Sequence, residues 1–203
     1  MTAAERTSVG VAQVSVRVSL RNWALIALIL YVVSGVAFAG FSAVGGIWFT
    51  ISDAVGLLLA ISLMVLVIKF DDLFRPLVGM ISRTARWIGV VAMGLGIAGS
   101  IVLLSSQTGH EFVPAEGGLG VQFFGWGLFG VWFLMIAAMA DRSGAFSRRW
   151  IWAARVAGAG SVIAMLATIP LGPESPAVSL GFTVSFVAII LWVIWTRREL
   201  ASE

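Results

Sequence analysis

Cysteine is absent from the 203 residues, and with it go disulfides, thiolate nucleophiles and sulfur-held zinc or iron–sulfur centres. Histidine occurs once, as His110, and lysine once, as Lys69. One imidazole supplies neither bis-histidine haem ligation nor a His-Glu-x-x-His zinc helix. Lys69 closes an apolar run instead of lying inside one, the wrong place for a Schiff base at mid-membrane. The Gly-x-Ser-x-Gly elbow, the Walker A loop and the buried aspartate pair of intramembrane proteolysis are also missing. No catalytic constellation is present and no cofactor is implied, so the chain reads as a non-enzyme.

Charge is scarce as well: 11% of residues are charged and 60% are hydrophobic, against about 25% and 45–50% in soluble domains. With a mean hydropathy of +1.02, so few charges cannot cover a water-facing surface. The bilayer must be the solvent. Six stretches meet the roughly 17–25 apolar residues of a helical span: Trp23 to Phe41, Ser52 to Ile68, Trp87 to Leu104, Val121 to Ala140, Trp150 to Ile169 and Val178 to Trp195. The fold class is therefore all-α, an integral membrane bundle of about six transmembrane helices. Residues 23–203 form that single domain with a short tail. Residues 1–22 form a separate leading segment, in which Val14, Val16, Val18 and Leu20 alternate with polar residues as in a short strand or an interfacial segment. Ala37-Phe38-Ala39 resembles a signal-peptide cleavage site, but the apolar run and its leader are long for a signal, and the segment is read as a retained span.

The net charge of +3 is not that of a nucleic-acid binder, because the basic residues are scattered over short connectors. They mark orientation instead, since short cytoplasmic loops are enriched in Lys and Arg. All 13 basic residues, with six of the ten acidic ones, fall before the first span, between the second and third, around the fourth-to-fifth connector, or after the sixth. Only Asp53, Glu111, Glu116 and Glu174 fall opposite. Both termini are expected in the cytoplasm and the protein in the plasma (inner) membrane. Trp23, Trp87, Trp150, Trp152 and Trp195 would anchor the cytoplasmic interface, while Trp132 and Phe133, at mid-span, are expected to pack.

Few residues invite a functional reading. Arg155 lies about a turn and a half inside the fifth span, to snorkel or to pair with Asp71, Asp72 or Asp141. Asp53, with Ser52, is placed to cap the second span, or to hold a cation or proton. His110 and Glu111, with Glu116 and Asp53, would form an outer acidic rim if their two loops meet, although no three-ligand spacing for a metal exists. Tyr31, Ser34, Ser62, Ser100 and Thr168 are the polar residues that could line a path. All five prolines, Pro76, Pro114, Pro170, Pro173 and Pro176, fall in predicted connectors, so a broken span would have to unwind at Gly94 to Gly99.

Small residues recur every four positions, as Ala92, Gly96 and Ser100 in the third span and Ala153, Ala157 and Ser161 in the fifth. Such faces let helices pack closely, within the bundle or against another subunit. The third and fifth spans share an Arg-Trp opening (Arg86-Trp87, Arg149-Trp150) and an Ala-Gly-Ser stretch (Ala98 to Ser100, Ala159 to Ser161), a weak internal repeat. The Gly-rich run Gly94-Leu95-Gly96-Ile97-Ala98-Gly99 and the closing Leu191-Trp192-Val193-Ile194-Trp195-Thr196-Arg197-Arg198 give a layout, over about half the chain, that resembles a loose class of six-span bacterial membrane proteins with a domain of unknown function. That resemblance implies the six-span fold and carries over no functional residue. The leading expectation is a scaffold or accessory subunit, whose partners are the lipid bilayer and either a second copy or another membrane subunit. The alternative is a small carrier or channel for a neutral or apolar solute.

Overall fold

A computed structural model describes residues 3–44, 47–107, 114–172 and 175–201. Among them are six helices and no strand: α1 (Ala3–Val44), α2 (Ile47–Val78), α3 (Met80–Gln107), α4 (Ala115–Ser143), α5 (Arg148–Leu171) and α6 (Pro176–Glu199). All six are long and apolar enough to cross a membrane. Even α5 and α6, at 24 residues each, reach about 36 Å at ~1.5 Å per residue, beyond the ~30 Å hydrocarbon core. The protein is an integral membrane protein built as a multi-pass helix bundle.

Each helix packs on its neighbours in sequence, and α1 closes on α6 along the thinnest of the seams between ring neighbours. The result is a ring, crossed only by α2 touching α4 among the described residues. Short connectors enforce this order. Gly79 alone joins α2 to α3, at φ +57° with its N–H on the Arg75 carbonyl, in a left-handed conformation that glycine adopts without Cβ strain. Ser147 and Ser175 accept backbone N–H bonds as N-caps of α5 and α6, satisfying donors that lipid cannot. The ring thus has a termini face, holding the start of α1 and the end of α6, and a far face.

Helix packing within the ring consumes the small residues. A Cβ on Gly125 would lie 2.8 Å from the Ala92 carbonyl oxygen, and one on Gly158 would lie 2.7 Å from that of Gly130. Ala92, Ser100, Ala153, Ala157 and Ser161 are all buried inside the chain, so these faces serve intramolecular packing. The spacing Gly-x-Gly-x-x-Gly, found at Gly94 to Gly99 and again at Gly125 to Gly130, lies inside unbroken helices, where Gly99 and Gly125 bring α3 to α4 and Gly127 and Gly130 bring α4 to α5, instead of cradling phosphate. The Ala-Gly-Ser stretches occupy equivalent seats. A Cβ on Gly99 would meet the Gly118 carbonyl at 2.8 Å, and one on Gly160 that of Gly181 at 2.9 Å. The Arg-Trp pairs do not match: Trp150 is buried while Trp87 is exposed.

Several expectations are corrected. Residues 14–20 are not a strand: α1 is continuous, and Leu20, Ala24, Ala27 and Tyr31 form one buried stripe at helical spacing. The connector expected over residues 69–86 is helix on both sides of Gly79, because charged turns extend α2 and α3 past the apolar core without ending them. Pro76 and Pro170 lie inside the last turns of α2 and α5, and Pro176 opens α6, where a missing N–H or a displaced carbonyl costs little. Gly94 to Gly99 does not unwind.

Candidate functional site

The two halves of the ring are filled differently. Toward the termini face, the interior is a continuous aromatic cluster. Phe129 stacks on Trp132 at 4.9 Å, Phe133 meets Trp192 edge to face at 4.9 Å, Phe146 stacks on Trp150 at 4.2 Å, and Phe70 reaches both Trp150 and Trp192 within 6 Å. Trp132 and Phe133 pack there, fully buried. The Trp150 indole N–H donates to Thr196 Oγ1 at 2.7 Å. The Trp192 Nε1 is buried without a hydrogen-bond partner among the described residues, and its ring packs against Phe70, Trp132, Phe133 and Trp150.

Toward the far face, the ring encloses a cavity of about 600 Å³ lined by residues from all six helices. Its base is aromatic: Tyr31 lies 4.6 Å from Phe186 and 6.4 Å from Trp126, which in turn leads to Phe129 of the cluster at 5.9 Å. Phe123 and Phe182 pair at 5.2 Å in its wall. Polar groups are few. Ser161 and Ser185 hydroxyls lie 2.6 Å apart, with Ser185 donating to the Ala157 carbonyl at 2.9 Å. Gln122 donates to Ser100 Oγ at 3.3 Å. The wall reaches the surface at Leu119, Ser179 and Thr183, all exposed.

Among the described residues, Asp53 is the only acidic or basic side chain in that lining. It does not cap α2, as expected for a helix starting near Ser52, because the helix begins at Ile47. Asp53 therefore sits in the second turn, about 9 Å along the axis, with only 8% of its surface exposed. Gln107, the last residue of α3, donates its amide N–H to Asp53 Oδ2 at 2.6 Å and accepts from Thr50 Oγ1 at 2.6 Å. That chain of bonds ties α2 to α3 and fixes the carboxylate. Among the described residues, no Lys or Arg forms an ion pair with Asp53.

Of the other expected site residues, His110 and Glu111 lie outside the described residues, and Glu116 is in the first turn of α4 with its side chain outside them. No cluster of three metal-binding side chains occurs among the described residues. Arg155 pairs with Asp141 at 2.7 Å near the termini face and lies over the Trp152 ring at 5.6 Å. Both partners are more than a third exposed, so the pair is a surface feature away from the cavity. Tyr31 and Ser34 do line the cavity. Ser62 and Thr168 bond back to carbonyls of their own helices. Missed in the sequence were Gln122, Ser161, Ser185, Trp126, Phe182 and Phe186; a glutamine inside an apolar window was the one available signal.

On the termini face, buried Asp71 accepts from Ser82 Oγ at 2.6 Å, from Arg75, and from Arg86 at 3.3 Å. Three donors surround one carboxylate, which locks the α2–α3 turn.

Fold and site define a small polytopic helical membrane protein with a cavity confined to one half of its ring. No protein-family model matches the chain, and no similar protein was found among curated proteins or solved structures.

Proposed function

We propose that the protein is a small carrier that takes its solute into the cavity of the far half. The supporting observation is the cavity itself, whose 600 Å³ is in the range of about 300–1,000 Å³ that holds small organic ligands. Mostly apolar walls with a few convergent polar groups are the usual composition of such sites. The aromatic cluster beneath it acts as a closed gate. A solute leaves toward the termini face only if those rings part, as in alternating access between two packed states. Uptake into proteoliposomes tests this reading across a panel of ions, small metabolites and apolar solutes. Saturable, protein-dependent uptake that is abolished by Ser185→Trp is the expected result. Flux equal to that of empty vesicles over the whole panel overturns it.

The scaffold reading rested on the lack of a catalytic constellation together with small-residue faces, and those faces pack inside this chain. Mass measurement after gentle-detergent purification separates the two, since an accessory subunit brings a partner or a second copy. We place the protein in the plasma (inner) membrane with its termini face in the cytoplasm, on the strength of the basic residues there. In this cysteine-free chain, Arg75→Cys and Ala145→Cys should be labelled only from inside and His110→Cys only from outside.

A further inference from the structure

We propose that the ligand of this cavity is an organic monocation, a protonated or quaternary amine or a comparable onium ion on an apolar body. The inference rests on the carrier reading and names its substrate class. Its basis is the pairing of Asp53 with aromatic walls in one cavity. Asp53 as a residue is nine-tenths buried, yet the described part of the chain supplies no counter-charge within ion-pair distance. Gln107 donates to one of its oxygens and orients it without neutralising it. A buried carboxylate held in place without a cation is costly, and a ligand cation offsets that cost. Lack of charge at mid-membrane suggested a neutral or apolar solute; the placement of Asp53 in the cavity wall replaces that expectation.

The remaining wall selects what kind of cation. Tyr31, Trp126, Phe182 and Phe186 present π systems around the space, and ring faces attract weakly hydrated onium ions in particular. A divalent metal needs six to eight oxygen ligands or a fixed histidine set, and no such cluster exists among the described residues. The volume is also far larger than a bare ion. Zwitterionic phospholipid headgroups fit poorly, because their phosphate would meet no basic group among the described residues of the lining.

Binding to the protein in neutral detergent tests the assignment, read by calorimetry and by intrinsic tryptophan fluorescence. The probes are tetraphenylphosphonium, its anionic isostere tetraphenylborate, and neutral triphenylphosphine oxide. Saturable binding of the cation and exclusion of the anion is the expected result. Asp53→Asn should weaken cation binding about tenfold or more, the scale of one lost charge-assisted contact, and leave the neutral probe unchanged. Equal binding of cation and neutral probe, unaffected by Asp53→Asn, overturns the charge assignment and leaves the carrier reading standing. Loss of both probes in Asp53→Asn shows a structural role for Asp53 and overturns the assignment too. Absence of saturable binding by all three in the parent protein overturns the assignment together with the cavity on which the carrier reading stands.

Discussion

The far half of the ring and the termini half are made from the same helices, yet one holds a cavity and the other a packed aromatic column. The difference lies in side-chain volume at equivalent depth. Toward the termini face, α2, α4, α5 and α6 each contribute Phe or Trp to the axis, as Phe70, Trp132, Trp150 and Trp192. Toward the far face, the same helices contribute Gly56, Gln122, Ser161 and Ser185 between the rings of Phe123, Trp126, Phe182 and Phe186. The backbone ring stays closed in both halves because glycine and alanine bring adjacent helices together, leaving the axis free to be filled or not. Stability and function are therefore expected to separate along the length of the helices.

The largest test of that separation is Trp192→Ala. Removing a fully buried indole from a close-packed cluster costs about 3–5 kcal/mol, seen as a large fall in the thermal midpoint in detergent, whereas Phe182→Ala in the cavity wall should cost less than half as much. Equal losses would erase the distinction between the halves. Next is Asp71→Asn, which removes the charge from a carboxylate with three donors and should cost about 2 kcal/mol, measured by chemical denaturation. A finer comparison lies within the cluster: Trp150→Phe forfeits the bond to Thr196 and Trp192→Phe forfeits none, so the first should be the worse by about 1 kcal/mol. The smallest effect is expected of Tyr31→Phe, whose hydroxyl has no hydrogen-bond partner among the described residues. Its stability should stay within about 0.5 kcal/mol of the parent, while solute binding is free to change.

The six spans were legible because hydrophobic length and one-sided basic residues are properties of contiguous sequence. Packing by Trp132, Phe133 and the small-residue faces was legible for the same reason, since helical spacing shows which residues share a face. The cavity was not. Its walls come from positions as far apart as Tyr31, Asp53, Gln122 and Ser185, and only closure of the ring brings them together. Asp53 was misplaced by a single local error, because the span was started at Ser52, whereas α2 begins at Ile47. That shift of five residues moved the carboxylate from a helix cap to a cavity wall. For Arg155 the sequence offered snorkelling or pairing with one of three aspartates, and the structure shows the pair with Asp141 across the connector.

The order of packing around the ring also bears on how the protein is made. Each helix emerging from the ribosome finds a partner in the helix just before it, and Gly79 makes α2 and α3 a hairpin that can enter the bilayer as one piece. Assembly needs little long-range search, which favours fast and reliable insertion. Only the α1–α6 seam joins the two ends of the chain, so the cavity is walled on all sides only after the last helix has been synthesised.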